Sequence, residues 1–501
     1  MILQERVKLL LFVLLSISLN SFSTNTKFYN ISDTYGITSG EAFSICKDQY
    51  GFIWTSTKTG ILRVTEGDCR NYELPCRTTD FVFVKLTYSN SQLFSYTNNG
   101  QIFHYDEPTD QFFFLTDLRE ETDNSHITIG TIVADTSNVL WIASSIGLFK
   151  YENNILTKIP QTEEDIKHLT FYDDNHLFYI TSAGISLLNI STSESRLLYS
   201  NTTEDFFQVP SLYYDDQLKR LWIGTGSAGL FYYDIIRKSL SDIPIRNFPK
   251  QPILAIRKDA KNTLLIGIDG QGIWNISEKG DTILHIYKED LNNPFSLRGD
   301  GVYDILCDGS KNWIATFTGK LSFFENNNSQ ITPVTYQINN PNSLGNNYVN
   351  QIIEDHEGHI WFATNNGVSR WDAASNKWKH YYQNKSEQAK VFLSLCEDNQ
   401  GHIWAGSYSS GIYLLDRETG KTLKHYSSKT NTPGFTGDFI FDFFVDKEGD
   451  VWIGGNQKLS CYLVKEDRFR EYPVQPVSAF AELSPGKLLL TTSRGLLLLD
   501  K

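Results

Sequence analysis

The sequence predicts an all-β fold: a β-propeller with one complete seven-bladed ring and about four blades of a second. Three observations carry this. A strand–turn–strand segment recurs eleven times, its aligned aromatic or aliphatic residue falling every 37 to 48 residues, and a period near forty marks a unit of four short strands. The chain is 14% aromatic, with 32 Phe, 26 Tyr and a single Met, a composition suited to strands and turns rather than helices. No window sustains a helical period.

Taken in order, the chain opens on MILQERVKLLLFVLLSISLNSFSTNT. Arg6 and Lys8 precede an apolar run from Leu9 to Leu19, and Ser21 and Ser23 supply the small residues of a cleavage site. That is the pattern of a secretory signal peptide over residues 1–23, and the run is too short to span a bilayer. An isolated strand, Lys27 to Ile31, comes next. It has the character of a fourth strand and is expected to complete blade seven from the other end of the chain. The first ring is expected over 24–337 and the partial second one over 338–501.

The repeats read as KDQYGFIWTSTKTGILRV from Lys47, CEDNQGHIWAGSYSSGIYLLD from Cys396 and FVDKEGDVWIGGNQKLSCYL from Val445. The aligned residues are Trp54, Phe94, Trp141, Phe178, Trp222, Leu265, Trp313, Trp361, Trp404, Trp452 and Leu489. The tryptophans are expected to pack one blade on the next. One unit serves for all. Val349 to Glu354 alternates as a strand, a turn follows, and Ile360 to Thr364 is the second strand. Asn365-Asn366-Gly367 suits a tight turn. Val368 to Trp371 and Lys377 to Tyr382 are strands three and four. Within the first turn only Asp and Gly hold their places (Asp48/Gly51, Asp355/Gly358, Asp398/Gly401, Asp446/Gly449). Such units cannot bury their own faces and must stack around an axis.

Composition excludes some functions. A formal charge of -13 argues against a nucleic-acid phosphate binder, which needs clustered Lys and Arg. It also mildly disfavours sulfated or uronic ligands. Cys46, Cys307 and Cys396 occupy equivalent repeat positions, as small buried hydrophobes would. Cys69 and Cys76 share one loop, and a disulfide between them in an oxidising compartment is left open. No cysteine spacing fits a zinc site.

Chemistry-bearing motifs are scarce. His356-Glu357-Gly358-His359 lies on a hairpin turn, whereas a zincin needs H-E-x-x-H on a helix. The other copies replace both histidines, so neither a metal nor a cofactor is expected. There is no G-x-S-x-G elbow and no P-loop, and no catalytic residue is predicted. In a propeller, the loops joining strands two and three, and those joining blades, gather on one face. Here they carry planar amides, an Arg and aromatic rings, the groups that recognise sugars. Asp269, Gln271, Arg298, Asn347, Tyr348, Asn365, Asn366 and Tyr408 are the candidate ligand contacts, with Asn98 and Asp300 beside them.

The repeat D-x-x-G-x-(I/L/V)-W-(I/F)-(G/A)-T resembles the two-component-regulator propeller repeat. NNPFSLRGDGVYDIL from Asn292 and NNPNSLGNNYVNQII from Asn339 are similar to that family's inter-repeat linker. The resemblance spans Phe28 to Asp500. It implies the periplasmic sensor region of a hybrid two-component regulator of gut Bacteroidetes, binding an oligosaccharide and working as a homodimer. Family members continue through a second full propeller into immunoglobulin-like, membrane, kinase, receiver and DNA-binding parts. This sequence stops on LLLLDK in a third strand, so a truncated chain is expected, without the kinase and with no membrane contact once mature. Two other readings stay open: an exported protein-interaction scaffold, and a propeller polysaccharide lyase or hydrolase.

Overall fold

The computed structural model describes residues 26–31, 41–65, 68–160, 162, 164–202, 206, 208–326, 333–383, 389–430, 432–474 and 476–501. The predicted signal peptide at 1–23 lies outside them. Among the described residues, no helix is long and apolar enough to cross a membrane.

The local unit is an antiparallel sheet, seen at Val349–Glu354, Ile360–Thr364, Gly367–Asp372 and Lys377–Tyr381. Its first turn is built by one carboxylate. Asp355 Oδ1 accepts the backbone N–H of Glu357 (3.0 Å) and His359 (2.9 Å), while Oδ2 accepts Trp361 Nε1 (2.8 Å). Asp48, Asp135, Asp398 and Asp446 repeat the clamp on Trp54, Trp141, Trp404 and Trp452. The glycine's role is conformational: Gly358 has φ 84°, and Asn138 takes the same place in its copy at φ 63°, asparagine being the residue that tolerates that region best after glycine. At Trp313 the turn shrinks to Gly309-Ser310, and at Trp222 to Asp216–Lys219. Among the described residues no carboxylate reaches either indole there, and both N–H groups are buried without a partner.

The second turn needs glycine for space as well. Gly367 has φ 85°, and a Cβ there would sit 2.2 Å from the Tyr381 carbonyl. Strand four could not then close on strand three.

The described residues fall into two compact units, 26–290 with 294–326, and 291–293 with 333–501. Residues 333–337, placed with the first ring in the sequence reading, pack with the second unit. Asn292 explains the interleaving, since its side chain accepts the Ile338 N–H at 2.6 Å.

Unit one holds seven four-stranded sheets. Six are consecutive, over 44–72, 84–117, 129–158, 168–200, 211–242 and 253–287. The seventh joins Val302–Asp308, Lys311–Thr316 and Lys320–Glu325 to Phe28–Asn30, which pairs antiparallel with Lys320–Glu325. The first strands of all seven line one central channel. Neighbouring blades are tied by side chain to backbone bonds at and beside these inner strands. Ser56 Oγ donates to Val84 O (2.6 Å), Ser211 Oγ to Ile253 O (2.5 Å), and Asp304 accepts from Ile45 N (2.9 Å). That last bond joins blade seven to blade one. A one-turn helix, Leu118–Thr122, capped by Asp117, bridges blades two and three.

Unit two holds sheets over 349–381, 392–426 and 440–472 with four strands each, and one over 477–500 with three. Its core lies between blades. Trp361 packs with Phe392, Leu395 and Ile403 of the following blade, and all four are buried. The seven repeat tryptophans are 0 to 8% exposed. Each contributes roughly 1.5–3 kcal/mol or more of transfer free energy, which makes stacking the main cohesive term.

Cys69 and Cys76 are not bridged; both thiols are free. They serve different packing layers. Cys69 packs against the cluster of Ile31, Ala42 and Trp313, whereas Cys76 packs against that of Trp54, Tyr72 and Val84. Burial pushes both thiol pKa values up, with Asp68 adding to the effect at Cys69. Denaturing alkylation without reductant is therefore expected to label all six cysteines; a mass two labels short would reinstate the disulfide.

Candidate ligand-binding site

The unit-one channel is the site that the fold builds from all its blades. It encloses about 360 Å³. On the face carrying the blade-to-blade loops it continues into a mouth of about 460 Å³, sharing Lys85, His168, Pro210 and Leu254 with it. Asn98, Thr128, Ser145, Asp165, Lys167 and Gln208 complete the polar rim. Both volumes fall within the range typical of small-molecule pockets.

The charged groups are delivered by short first strands or the loops leading into them, and Asn98 and Ser145 by the turns that follow second strands. Lys85 lies on Val84–Ser89, His168 opens His168–Asp173, Arg257 lies on Ile253–Lys258 and Asp304 on Val302–Asp308. Arg257 Nη2 donates to Asp304 Oδ1 at 3.1 Å, and the other carboxylate oxygen accepts the Ile45 N–H. The Lys85 ammonium rests 5.0 Å from the Phe83 ring centre. Burial lowers its pKa, Asp304 offsets part of that, and Arg257 adds to it. His168 Nδ1 donates to the Leu169 carbonyl at 3.1 Å, which fixes the tautomer with the hydrogen on Nδ1. Burial, followed by the charge of Lys85, drives the His168 pKa down to about 3, so the ring is neutral at ordinary pH.

The residues singled out from the sequence take other places. Asp269 and Gln271 sit on the turn between Leu264–Ile268 and Gly272–Ile276, with Gln271 accepting from Lys288 Nζ at 3.0 Å. Arg298 is held beside them, its carbonyl accepting from Thr316 Oγ1 at 2.7 Å. These three lie on the predicted face of unit one but do not line the mouth. In unit two, Asn347 Oδ1 accepts from Tyr336 N (2.7 Å) and Asn365 Oδ1 from Asn350 Nδ2 (3.0 Å). Asn365 N also bonds Tyr348 O (3.1 Å), and Asn366 N bonds Thr364 Oγ1 (3.1 Å). Turn-building thus engages the Asn347 and Asn365 side-chain oxygens and the Asn366 backbone. Tyr348 and Tyr408 differ, being 71% and 53% exposed, with Tyr408 edge-on to Phe439 at 4.8 Å; they are open aromatic faces.

His356 and His359 belong to an inter-blade ion network. His356 Nδ1 meets Glu397 Oε1 at 2.6 Å, Arg417 reaches Glu357 (2.6 Å) and Glu397 (3.4 Å), and His359 lies against Asp355 and Arg370. Among the described residues no group of His, Cys, Asp or Glu is arranged to hold a metal ion.

Lys85, His168, Arg257 and Asp304 were missed in the sequence. A charged residue within the first strand of a repeat is the signal they leave, but Lys47, Asp173, Asp215 and Lys258 carry it too without lining the channel.

Comparison with known proteins identifies the repeats. Residues 343–366, 386–409 and 434–457 match the two component regulator propeller family. No curated protein sequence matches the chain. Among solved structures, the extracellular domain assigned to the hybrid two component system BT3049 of B. thetaiotaomicron is 16% identical, with a TM-score of 0.50 over 95% of this chain and 78% of that one. The extracellular domain assigned to the one component system BT4673 of the same organism is 18% identical, with a TM-score of 0.48 over 95% and 77%. A virginiamycin B lyase of Staphylococcus aureus gives 14% and 0.47, covering 60% of this chain and 98% of that one. At 16% identity the likeness to the BT3049 domain is one of fold.

Proposed function

We propose that this chain, built of two-component-regulator propeller repeats, is an exported ligand-sensing region that binds an oligosaccharide for a hybrid two-component regulator. The observation that carries the reading is the channel mouth of unit one, a cavity of about 460 Å³ rimmed by amide, hydroxyl and charged side chains. Hydroxylated ligands are recognised by such groups, because each can serve as donor or acceptor to a sugar oxygen. The repeat family matched at 343–366, 386–409 and 434–457 supplies the regulatory context. In that context the ligand would shift the arrangement of a homodimer, since a ligand moves an equilibrium only by binding one state more tightly.

The test is calorimetry and thermal unfolding of the chain against a panel of neutral and acidic oligosaccharides. A saccharide present at a hundred times its Kd is expected to stabilise the protein by about 2.7 kcal/mol. The absence of heat and of any shift across the panel would refute the reading. Release of new reducing ends or unsaturated products would convert it to catalysis.

A further inference from the structure

We propose that the unit-one channel mouth takes a saccharide bearing a single carboxylate, paired with the Lys85 ammonium. This rests on the saccharide-sensing reading and narrows it to a ligand class.

The argument begins with local charge. The described residues lining channel and mouth include three cations, Lys85, Lys167 and Arg257, and two carboxylates, Asp165 and Asp304. Four of these are matched: Arg257 with Asp304, and Lys167 with Asp165. His168 is neutral. One positive charge is left, in a chain whose formal net charge is -13. Lys85 makes no ion pair or hydrogen bond among the described residues and rests on the face of Phe83. Asp304, the carboxylate whose charge acts on it, already serves Arg257, Ile45 N and Ile305 N. Lys85 is half-buried on the channel wall, and a partly desolvated ammonium without an anion gains by pairing with a ligand carboxylate.

The rest of the mouth suits hydroxyl groups. Asn98 uses its side-chain oxygen on Val82 N and Phe83 N, which leaves its NH₂ donors uncommitted among the described residues. Ser145 Oγ accepts from Thr128 N at 3.0 Å and keeps its own hydrogen to donate. The Gln208 amide side chain has no hydrogen bond among the described residues. Gly130 lets the neighbouring blade's backbone close on the rim, since a Cβ there would approach the Lys167 carbonyl to 2.8 Å. One unmatched point charge selects a monoanion. A polysulfated chain or a nucleic-acid backbone would need a row of cations, and the single channel guanidinium is already taken.

The experiment is calorimetry on the chain with glucuronosyl-xylose and, as its neutral counterpart, xylobiose. The acidic disaccharide is expected to bind, and at least about tenfold more tightly than xylobiose. Lys85→Met is expected to remove that preference, and Lys85→Arg to retain it. Added salt should weaken the acidic ligand alone. Because Lys85→Met deletes an unpaired charge, its melting temperature should not fall; should it fail to fold, Lys85→Gln and the wild-type salt dependence provide the same readout. Equal affinity for the two disaccharides, or tighter acidic binding that Lys85→Met leaves unchanged, overturns the inference. Binding of neutral oligosaccharides alone overturns it too, while leaving the sensing reading in place. Binding of neither class overturns both.

Discussion

Asp355→Ala is expected to destabilise unit two by about 3–4 kcal/mol, read as a lower urea midpoint of the transition followed by tryptophan fluorescence. The carboxylate is buried, accepts from Glu357 N, His359 N and Trp361 Nε1, and has His359 Nδ1 beside it at 3.2 Å. Hydrogen bonds to a charged acceptor contribute roughly 1.5–3 kcal/mol each when considered singly, and losses within one network do not add fully. Trp222 and Trp313 bound one component of the loss, because their indole N–H groups are buried unpaired in blades that are otherwise complete. Most of the cost therefore comes from the turn, whose backbone amides lose their acceptor. Asp355→Asn keeps one neutral acceptor and should cost about half as much.

The same carboxylate gives an acid dependence with a definite sign. Its donors, led by Trp361 and His359, outweigh burial and hold the Asp355 pKa below the ordinary carboxyl value. A depressed folded pKa means that the stabilisation is fully present above the unfolded value, about 3.9. It is lost as pH falls from there through the folded pKa. Asp355→Asn should flatten that part of the acid limb. An unchanged limb would mean that Asp355 is not the group titrating.

How much was legible depends on what each residue answers to. The unit at 349–381 was readable almost to the residue, with Val349–Glu354 and Ile360–Thr364 as predicted and the last two strands within one residue. Alternation, Asp-Gly turns and the buried tryptophan all point to one register there. The channel was not readable. Whether a first-strand residue faces the lumen depends on β-bulges, and register shifts occur at Ile129/Thr131, Ile253/Ala255 and Val302/Asp304. A bulge re-aims every residue after it, so Asp304 and Arg257 look like ordinary alternating polar positions. Net charge says little about the channel for a related reason. The value of -13 is a sum over the whole surface, whereas a ligand in the channel meets the few charges that line it.

The largest effect on unit one is expected at Phe28. Blade seven takes three strands from 302–325 and its fourth from the opposite end of the unit. Phe28 is 3% exposed and packs on Phe324 at 5.0 Å and Tyr287 at 5.4 Å, so one ring anchors that strand and covers the layer between blades six and seven. Phe28→Ala should cost about 3–5 kcal/mol, the range for deleting a buried aromatic ring. Tyr29 is the control on the same three-residue strand: it is 38% exposed and stacks on Phe323 at 5.3 Å. Tyr29→Ala should cost about 1 kcal/mol. If the two variants lose equal stability, the strand is held by its backbone ladder and not by the anchor. Removing 26–31 altogether should do more than lower stability, because Lys320–Glu325 becomes an unpaired edge open to other chains. Concentration-dependent association of that deletion, absent from Phe28→Ala at temperatures where it remains folded, would separate the edge's role from the ring's. The closing pair joins the two ends of the unit, so its formation has the greatest loop-closure entropy to overcome. Phe28→Ala should therefore accelerate unfolding while leaving the refolding rate nearly unchanged.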